Sequence, residues 1–350
     1  MTALSIIWGM ERKTAVARAT IDDVAKEANV SIKTVSRVIN KEPNVRERTR
    51  ERVLEAVKKL GYHPSQSARV LAGNRTFLIA LVYDNPSPSY LVGLQNGALA
   101  ECNTQGYTLV LHPVDSTSRK LGTDLRAWLE TSPVDGLILT PPINDSRSVL
   151  RNLKEIGIPF VSIAPQKISE GLSVSIDDRA AAKEMTNHLI SLGHEKIGFI
   201  KGHPSHGAGR MRFDGFKDAM GANDITINDH FIAQGYFSFE SGRDAAETLL
   251  DGSSHPTAIF AANDDMAAAV IQVAAEKGIV VPKDLSVVGF DDSVISRQVS
   301  PPLTTIRQPI RQMGETATRL LLQHLRTRET PEPEKLDYQL MERGSCGTPS

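Results

Sequence analysis

Apolar residues between Thr20 and Gly61 return every three to four positions, the spacing of one helix face. Ile21, Val24, Ala25 and Ala28 form the first stripe, Val35, Val38 and Ile39 the second, and Val53, Val57 and Leu60 the third. Each stripe has a start or stop signal beside it. Thr20 is placed to cap a helix that opens with Asp22 and Asp23, whose charges favour its N-terminus. Asn29 tolerates the positive φ that ends a helix, Ser31 caps the next over Ile32–Ile39, and Gly61 stops a third that starts near Arg48. Three short helices with a tight turn between the first two predict a helix-turn-helix unit, with Lys33, Thr34, Ser36 and Arg37 turned towards a partner.

From Phe77 onward the period changes. Phe77–Tyr83, Tyr107–His112, Gly136–Thr140, Pro159–Ile163, Lys196–Ile200, Thr257–Ala261 and Leu285–Phe290 are apolar runs of strand length. Helical stretches alternate with them: Tyr90–Gln105, Arg126–Thr131, Ser146–Ile156, Arg179–Leu192, Arg210–Met220, Glu240–Leu250 and Asp264–Lys277. Repeated βα units of this length predict an α/β core of doubly wound parallel sheets. Two βα series and a late strand and helix over Leu303–Arg326 predict two subdomains with chain crossovers. Between headpiece and core, Ser65–Ala72 is too short for a stable isolated helix and carries the apolar Val70 and Leu71. The chain then divides into an N-terminal extension expected to be disordered (1–18), a helix-turn-helix domain (19–64), a hinge helix and linker (65–75), a two-subdomain core (76–342) and a tail (343–350). The stretch Pro331–Ser350 lacks apolar heptads, which argues against a coiled-coil tetramer.

Composition matters only once it is divided. The net charge of −1 conceals 15 Lys/Arg against 8 Asp/Glu from Glu11 to Arg75. That surplus suits a headpiece facing a polyanion, although a solvated basic face gives the same count. Two cysteines, Cys102 and Cys346, exclude a disulfide framework. No run approaches the roughly 20 apolar residues of a membrane span. Met1–Met10 has no basic segment ahead of Ile6, Ile7 and Trp8, so the expectation is a cytoplasmic protein without a secretory signal.

Candidate chemistry gathers at strand ends, where open α/β sheets bind ligands. Asp84 follows the first strand, Asn263 follows Ala262, Asp291 follows Phe290, and Arg212 follows the glycine-rich loop Gly202–Gly209. These groups make directional bonds to vicinal hydroxyls, and Tyr90 and Phe237 offer apolar faces to a ring. Asp84 and Asp291 are equally suited to cap helices, Arg212 to a surface ion pair, and Phe237 to the core. No GxGxxG follows the first strand, and neither a GxxxxGK[ST] nor a GxSxG motif is present, so no enzyme is expected. His203 and His206 form a pair without an evident third ligand, so neither a metal nor another cofactor is expected.

The runs TIDDVAKEANVSIKTVSRVIN and VLEAVKKLGYHPSQSARVLAG resemble the headpiece of the LacI/GalR family of bacterial regulators, with Asn29 where that family usually has glycine. The likeness continues through HLISLGHEKIGFIKG, RMRFDGFKDAM, PTAIFAANDDMAAAVIQVAAEKG and LSVVGFDDSVISRQVSPPLTTIRQP. It implies a type-I periplasmic-binding-protein-like sensor core and a homodimer on a pseudopalindromic double-stranded operator. It implies that Ile32, Lys33 and Arg37 read bases, with Thr20, Ser31, Thr34, Ser36, Asn40, Tyr62, Ser67 and Arg69 in the same interface. Leu71 would wedge into the minor groove. In the core it implies effector contacts from Tyr90, Arg212, Phe237, Asn263 and Asp291. Ala164 stands where some sugar-responsive members carry a carboxylate. A carbohydrate or glycoside effector is expected, with a nucleoside or purine corepressor as the alternative. A solute-binding protein would share the core but lack the headpiece.

Overall fold

The computed structural model describes residues 19–39, 44–62, 75–166, 171–251 and 255–349. It divides into two units, Met1–Thr76 and Phe77–Ser350. In the first, α1 (Ile21–Glu27), α2 (Ile32–Ile39) and α3 (Glu47–Leu60) pack around Val24, Val35, Val38 and Val53, all buried. Thr20 and Asp23 form a reciprocal capping box at the start of α1. Asn29 turns the chain at φ 47°, and Ser31 Oγ accepts from the Thr34 amide to start α2. Gly61 ends α3 in the left-handed region at φ 58°, a cheap conformation only for glycine.

The second unit holds two six-stranded sheets. In chain order its elements are β1 (Leu78–Tyr83), α4 (Pro88–Gln105), β2 (Thr108–Pro113), α5 (Leu121–Thr131), β3 (Gly136–Leu139), α6 (Arg147–Ile156), β4 (Phe160–Ile163), β5 (Leu172–Ser175), α7 (Asp178–Ser191), β6 (Ile197–Lys201), α8 (Gly207–Ala222) and β7 (Ile232–Gln234). They continue with α9 (Phe239–Leu249), β8 (Ala258–Ala261), α10 (Asp264–Glu276), β9 (Ser286–Asp291), α11 (Ile295–Gln298), β10 (Thr304–Arg307), α12 (Ile310–Thr327), β11 (Glu334–Lys335) and β12 (Gln339–Met341).

The first sheet runs β11-β5-β4-β3-β1-β2 and the second β12-β10-β9-β8-β6-β7. All pairings are parallel except β10 with β12. The central strands are apolar without alternation and buried on both faces, as helix-covered parallel sheets require. The chain crosses between sheets three times: from β5 to α7, from β10 to α12, and from β11 to β12. Helix α12 thus follows a strand of the second sheet yet packs on α4 of the first subdomain.

Two expectations need correction. The segment 343–350, set apart above as a tail, is fastened to the second sheet as far as it is described. Ser345 is fully buried, its hydroxyl donates to the Val287 carbonyl at 2.6 Å, and it accepts from the Thr304 amide at 2.8 Å. Buried His194 bonds the Gly347 carbonyl through Nε2 and the Thr257 hydroxyl through Nδ1, both at 2.9 Å. The carbonyl only accepts, so Nε2 carries the proton. The helix expected over Arg126–Thr131 also begins earlier, at Leu121. Its Gly122 reads as a breaker, but a Cβ there would lie 3.0–3.1 Å from Asn152 and Ser148, so the glycine brings α5 close to α6.

Candidate functional site: a recognition helix and a buried cleft

On α2, Val35 and Val38 face the headpiece core while Ile32 and Lys33, and Ser31 just ahead of the helix, are exposed. Ile32 keeps 46% of its surface accessible. Thr34, Ser36 and Arg37 are half-buried on the same helix. Thr20 is exposed but engaged with Asp23. Tyr62, grouped above with the DNA-facing residues, instead packs among Val24, Val35 and Val53, and burial pushes its hydroxyl pKa up. Asn40, Ser67, Arg69 and Leu71, and the hinge helix Ser65–Ala72, lie outside the described residues.

In the core, Tyr90, Arg212, Phe237, Asn263 and Asp291 meet at one cavity between the two subdomains, joined by Asn85, Ser87, Pro141, Ala164, His206, Ala208 and Gln308. The strand ends β8 and β9 and the starts of α4, α8 and α10 converge there. Asp84 is not in this lining: its carboxylate accepts from the Ser116 amide at 2.8 Å, so it holds a loop beside β2. The cavity's free volume is about 30 Å³.

Arg212 organises the polar side of the cavity. Its Nε donates to Asp178 Oδ1 at 2.9 Å, and its Nη1 donates to the Ala262 carbonyl at 2.6 Å and lies 3.6 Å from Asp291 Oδ1. The guanidinium carbon stands 3.7 Å from the centre of the Phe290 ring. Asp291, at φ 119°, also accepts from Gln308 Nε2 at 2.5 Å. Burial drives the Asp291 carboxyl up to about 7 although Arg212 and Gln308 pull it down. Asp264 lies behind it, hydrogen-bonded to Thr305 and the Ser293 amide, and burial with neighbouring Asp291 holds it well above the usual carboxylate range. Asp178 is also raised by burial, and its Oδ2 has no hydrogen-bond partner among the described residues.

Asn263 caps α10 by accepting from the Met266 amide while its amide donates to the Phe237 carbonyl. Phe237 sits at φ 65°, and its ring occupies space that side chains at Gly202 and Gly209 would take; a Cβ on Gly209 would be 3.2 Å from it. The glycine-rich loop is therefore what admits an aromatic wall to the cavity. Burial, reinforced by nearby His203, lowers the His206 pKa to about 4, so its imidazole is neutral at ordinary pH. The His203 and His206 rings are 5.1 Å apart, and no group of three metal-ligating side chains gathers among the described residues.

Sequence reasoning missed Asp178, Gln308, Ser87 and His206 as parts of this site. Gln308 lies on the second crossover, and Asp178 opens α7 one residue ahead of the helix read from the sequence, so neither position stands out by periodicity. In the sequence His206 stands out only as one half of a pair with His203.

Comparisons with known proteins cover both units. Residues 20–65 match the family described as bacterial regulatory proteins, lacI family, and residues 186–346 match the periplasmic binding protein-like domain. The chain is 39% identical over 300 residues to the HTH-type transcriptional regulator DegA of Bacillus subtilis (strain 168), covering 85% of this chain and 88% of that protein. It is 37% identical over 311 residues to the HTH-type transcriptional repressor PurR of Haemophilus influenzae (strain PittEE), covering 88% and 91%. Among solved structures, the transcriptional regulator CelR–cellobiose complex superposes with a TM-score of 0.72 at 32% identity, covering 94% of this chain and all 100% of that one. The lac repressor dimer bound to operator and the anti-inducer ONPF gives 0.78 at 28% identity, covering 94% and 99%. With a capped helix-turn-helix unit, a two-sheet core and relatives spanning most of its length, the chain belongs to the LacI family of bacterial regulatory proteins and is a DNA-binding transcriptional regulator.

Proposed function

We propose that the protein is a repressor acting as a homodimer on a pseudopalindromic operator, and that a small uncharged carbohydrate or glycoside in the cleft controls its DNA binding. The observation that carries the ligand class is the charge balance around Arg212. Its guanidinium already faces the carboxylates of Asp178 and Asp291. An anionic ligand would find no surplus positive charge there, whereas hydroxyls would find directional acceptors and donors in Asp291, Asn263 and Gln308 beside the Phe237 ring. A cellobiose complex among the structural relatives supports the same class. The second reading, a nucleoside or purine, is favoured by two aromatic rings in the lining, Tyr90 and Phe237, and by the PurR relatives.

In the headpiece, Ile32, Lys33 and Arg37 are the base readers of this proposal. Lys and Arg donate to guanine O6 and N7, and two-fold symmetry doubles the few contacts one headpiece offers. The test is a thermal-shift screen of neutral sugars, glycosides, nucleosides and purine bases against the full-length protein. Stabilisation by a sugar or glycoside supports the first reading, and stabilisation by nucleosides or bases alone overturns it in favour of the second.

A further inference from the structure

The cavity between the subdomains is small. Ligand pockets occupy about 300–1,000 Å³, and this one offers about 30 Å³ of free volume. Among the described residues, two contacts at the cavity join one subdomain to the other. At the first, Ser87, before α4 of the first subdomain, donates its hydroxyl to Asp265 Oδ2 on α10 of the second, at 2.8 Å. Ser87 is only 3% exposed. Both partners are pinned: the Ser87 amide donates to Asn85 Oδ1, and the Asn263 amide group leans on the same Asp265 oxygen at 3.4 Å. At the second, Gly207 at the start of α8 meets Gln166, which follows β4 in the first subdomain. A Cβ on Gly207 would lie 2.6 Å from Gln166 Cβ and 2.7 Å from its Cα. Gln166 is itself tied to Asp145 Oδ1 through its amide at 2.9 Å. The neighbours of these residues, Tyr90, Ala164, His206 and Ala208, line the cavity, so both contacts sit at its rim.

We propose that these two contacts form a clasp: Ser87–Asp265 and Gly207–Gln166 hold the cleft closed, and both part when a ligand enters or leaves. The purpose of the clasp rests on the reading of the cavity as the ligand site, but its geometry does not. Glycine at position 207 is required by the closed approach and not by its backbone, which avoids the left-handed region. A side chain there is a wedge, and loss of the Ser87 hydroxyl removes the opposing bond.

The test needs no ligand. Spin labels at Glu155→Cys on α6 and Lys277→Cys after α10, in a Cys346→Ser background, report the distance between subdomains in the full-length protein. Gly207→Val should shift the distance distribution away from that of the unwedged protein, Gly207→Ala should shift it less, and Ser87→Ala should broaden it. The alanine variants keep the test open if the valine variant does not fold. Distributions identical to the unwedged protein in all folded variants would overturn the clasp. A shifted distribution in a protein that no sugar, glycoside, nucleoside or base stabilises would uphold the clasp and sink the reading of the cavity as an effector site.

Discussion

Arg212 carries more of the structure than a ligand contact does. It is 4% exposed and stands between Asp178 and Asp291, so removing it leaves two buried carboxylates without their counter-charge. Breaking a buried pair from one side costs about 3–5 kcal/mol. Arg212→Ala should lower the unfolding free energy of the core, read from urea denaturation, by that order, and an unchanged midpoint would contradict the network drawn here. For Asp291 the folded pKa is raised to about 7. Its contribution to stability is therefore complete below the ordinary carboxylate pKa and is lost as pH rises through about 7. His206 works in the opposite sense: its folded pKa is depressed to about 4, so its contribution is lost as pH falls from the ordinary imidazole value towards that point. Comparing Tm against pH for the wild type and Asp291→Asn reads the contribution of Asp291 together with its effect on the neighbouring Asp264. The wild type should lose stability relative to the variant between roughly pH 4 and pH 7, and a constant difference would contradict the raised pKa. The sequence exposed Arg212, Asn263 and Asp291 because each follows an apolar strand or a glycine-rich loop. It hid their partners: Asp178 lies 34 positions from Arg212 and Gln308 lies 17 from Asp291, brought together only by the packing of α7 on α8 and the pairing of β10 with β9.

Among the elements, those with a long apolar period were legible and those without one were not. The helices of the headpiece and the central strands β1, β3, β4, β6, β8 and β9 carry strong patterns. The strands β7, β11 and β12 have three, two and three residues, too few for any period, and exist because a neighbouring edge supplies their hydrogen bonds. The C-terminal segment is illegible for the same reason: its attachment rests on Ser345, Gly347 and His194, not on an apolar stripe. Deleting residues 343–350 should unpair these buried groups at a cost of about 1–3 kcal/mol each, seen as a lower Tm of the core. A Tm equal to wild type would restore the description as a tail. On α2, Lys33→Ala should relax base preference at one operator position, costing about 1–3 kcal/mol if its contact is direct. Weakening by the same factor on every sequence would assign Lys33 to phosphate contact alone.

At the scale of the whole molecule, the two sheets joined by three crossovers give the core a cleft whose walls come from different subdomains. A ligand that touches both walls favours one relative orientation, and only such a difference in affinity between states can alter binding elsewhere. In the proposed account the N-terminal segment, with its charge surplus and the exposed face of α2, is the polyanion-binding end. The central claim is that occupancy of the cleft governs operator binding. It is tested most directly by fluorescence-anisotropy titration of a selected operator duplex, with and without the best compound from the thermal-shift screen, in wild type and Phe237→Leu. Phe237 lines the cavity and forms none of the ion pairs with Arg212, so its replacement probes the ligand wall without removing a buried charge. The account predicts that the compound changes operator affinity of the wild type, that Phe237→Leu needs a higher concentration for the same change, and that both bind the operator equally without it. An unchanged ligand response in Phe237→Leu, or no response in the wild type to a compound that stabilises it, would contradict the account.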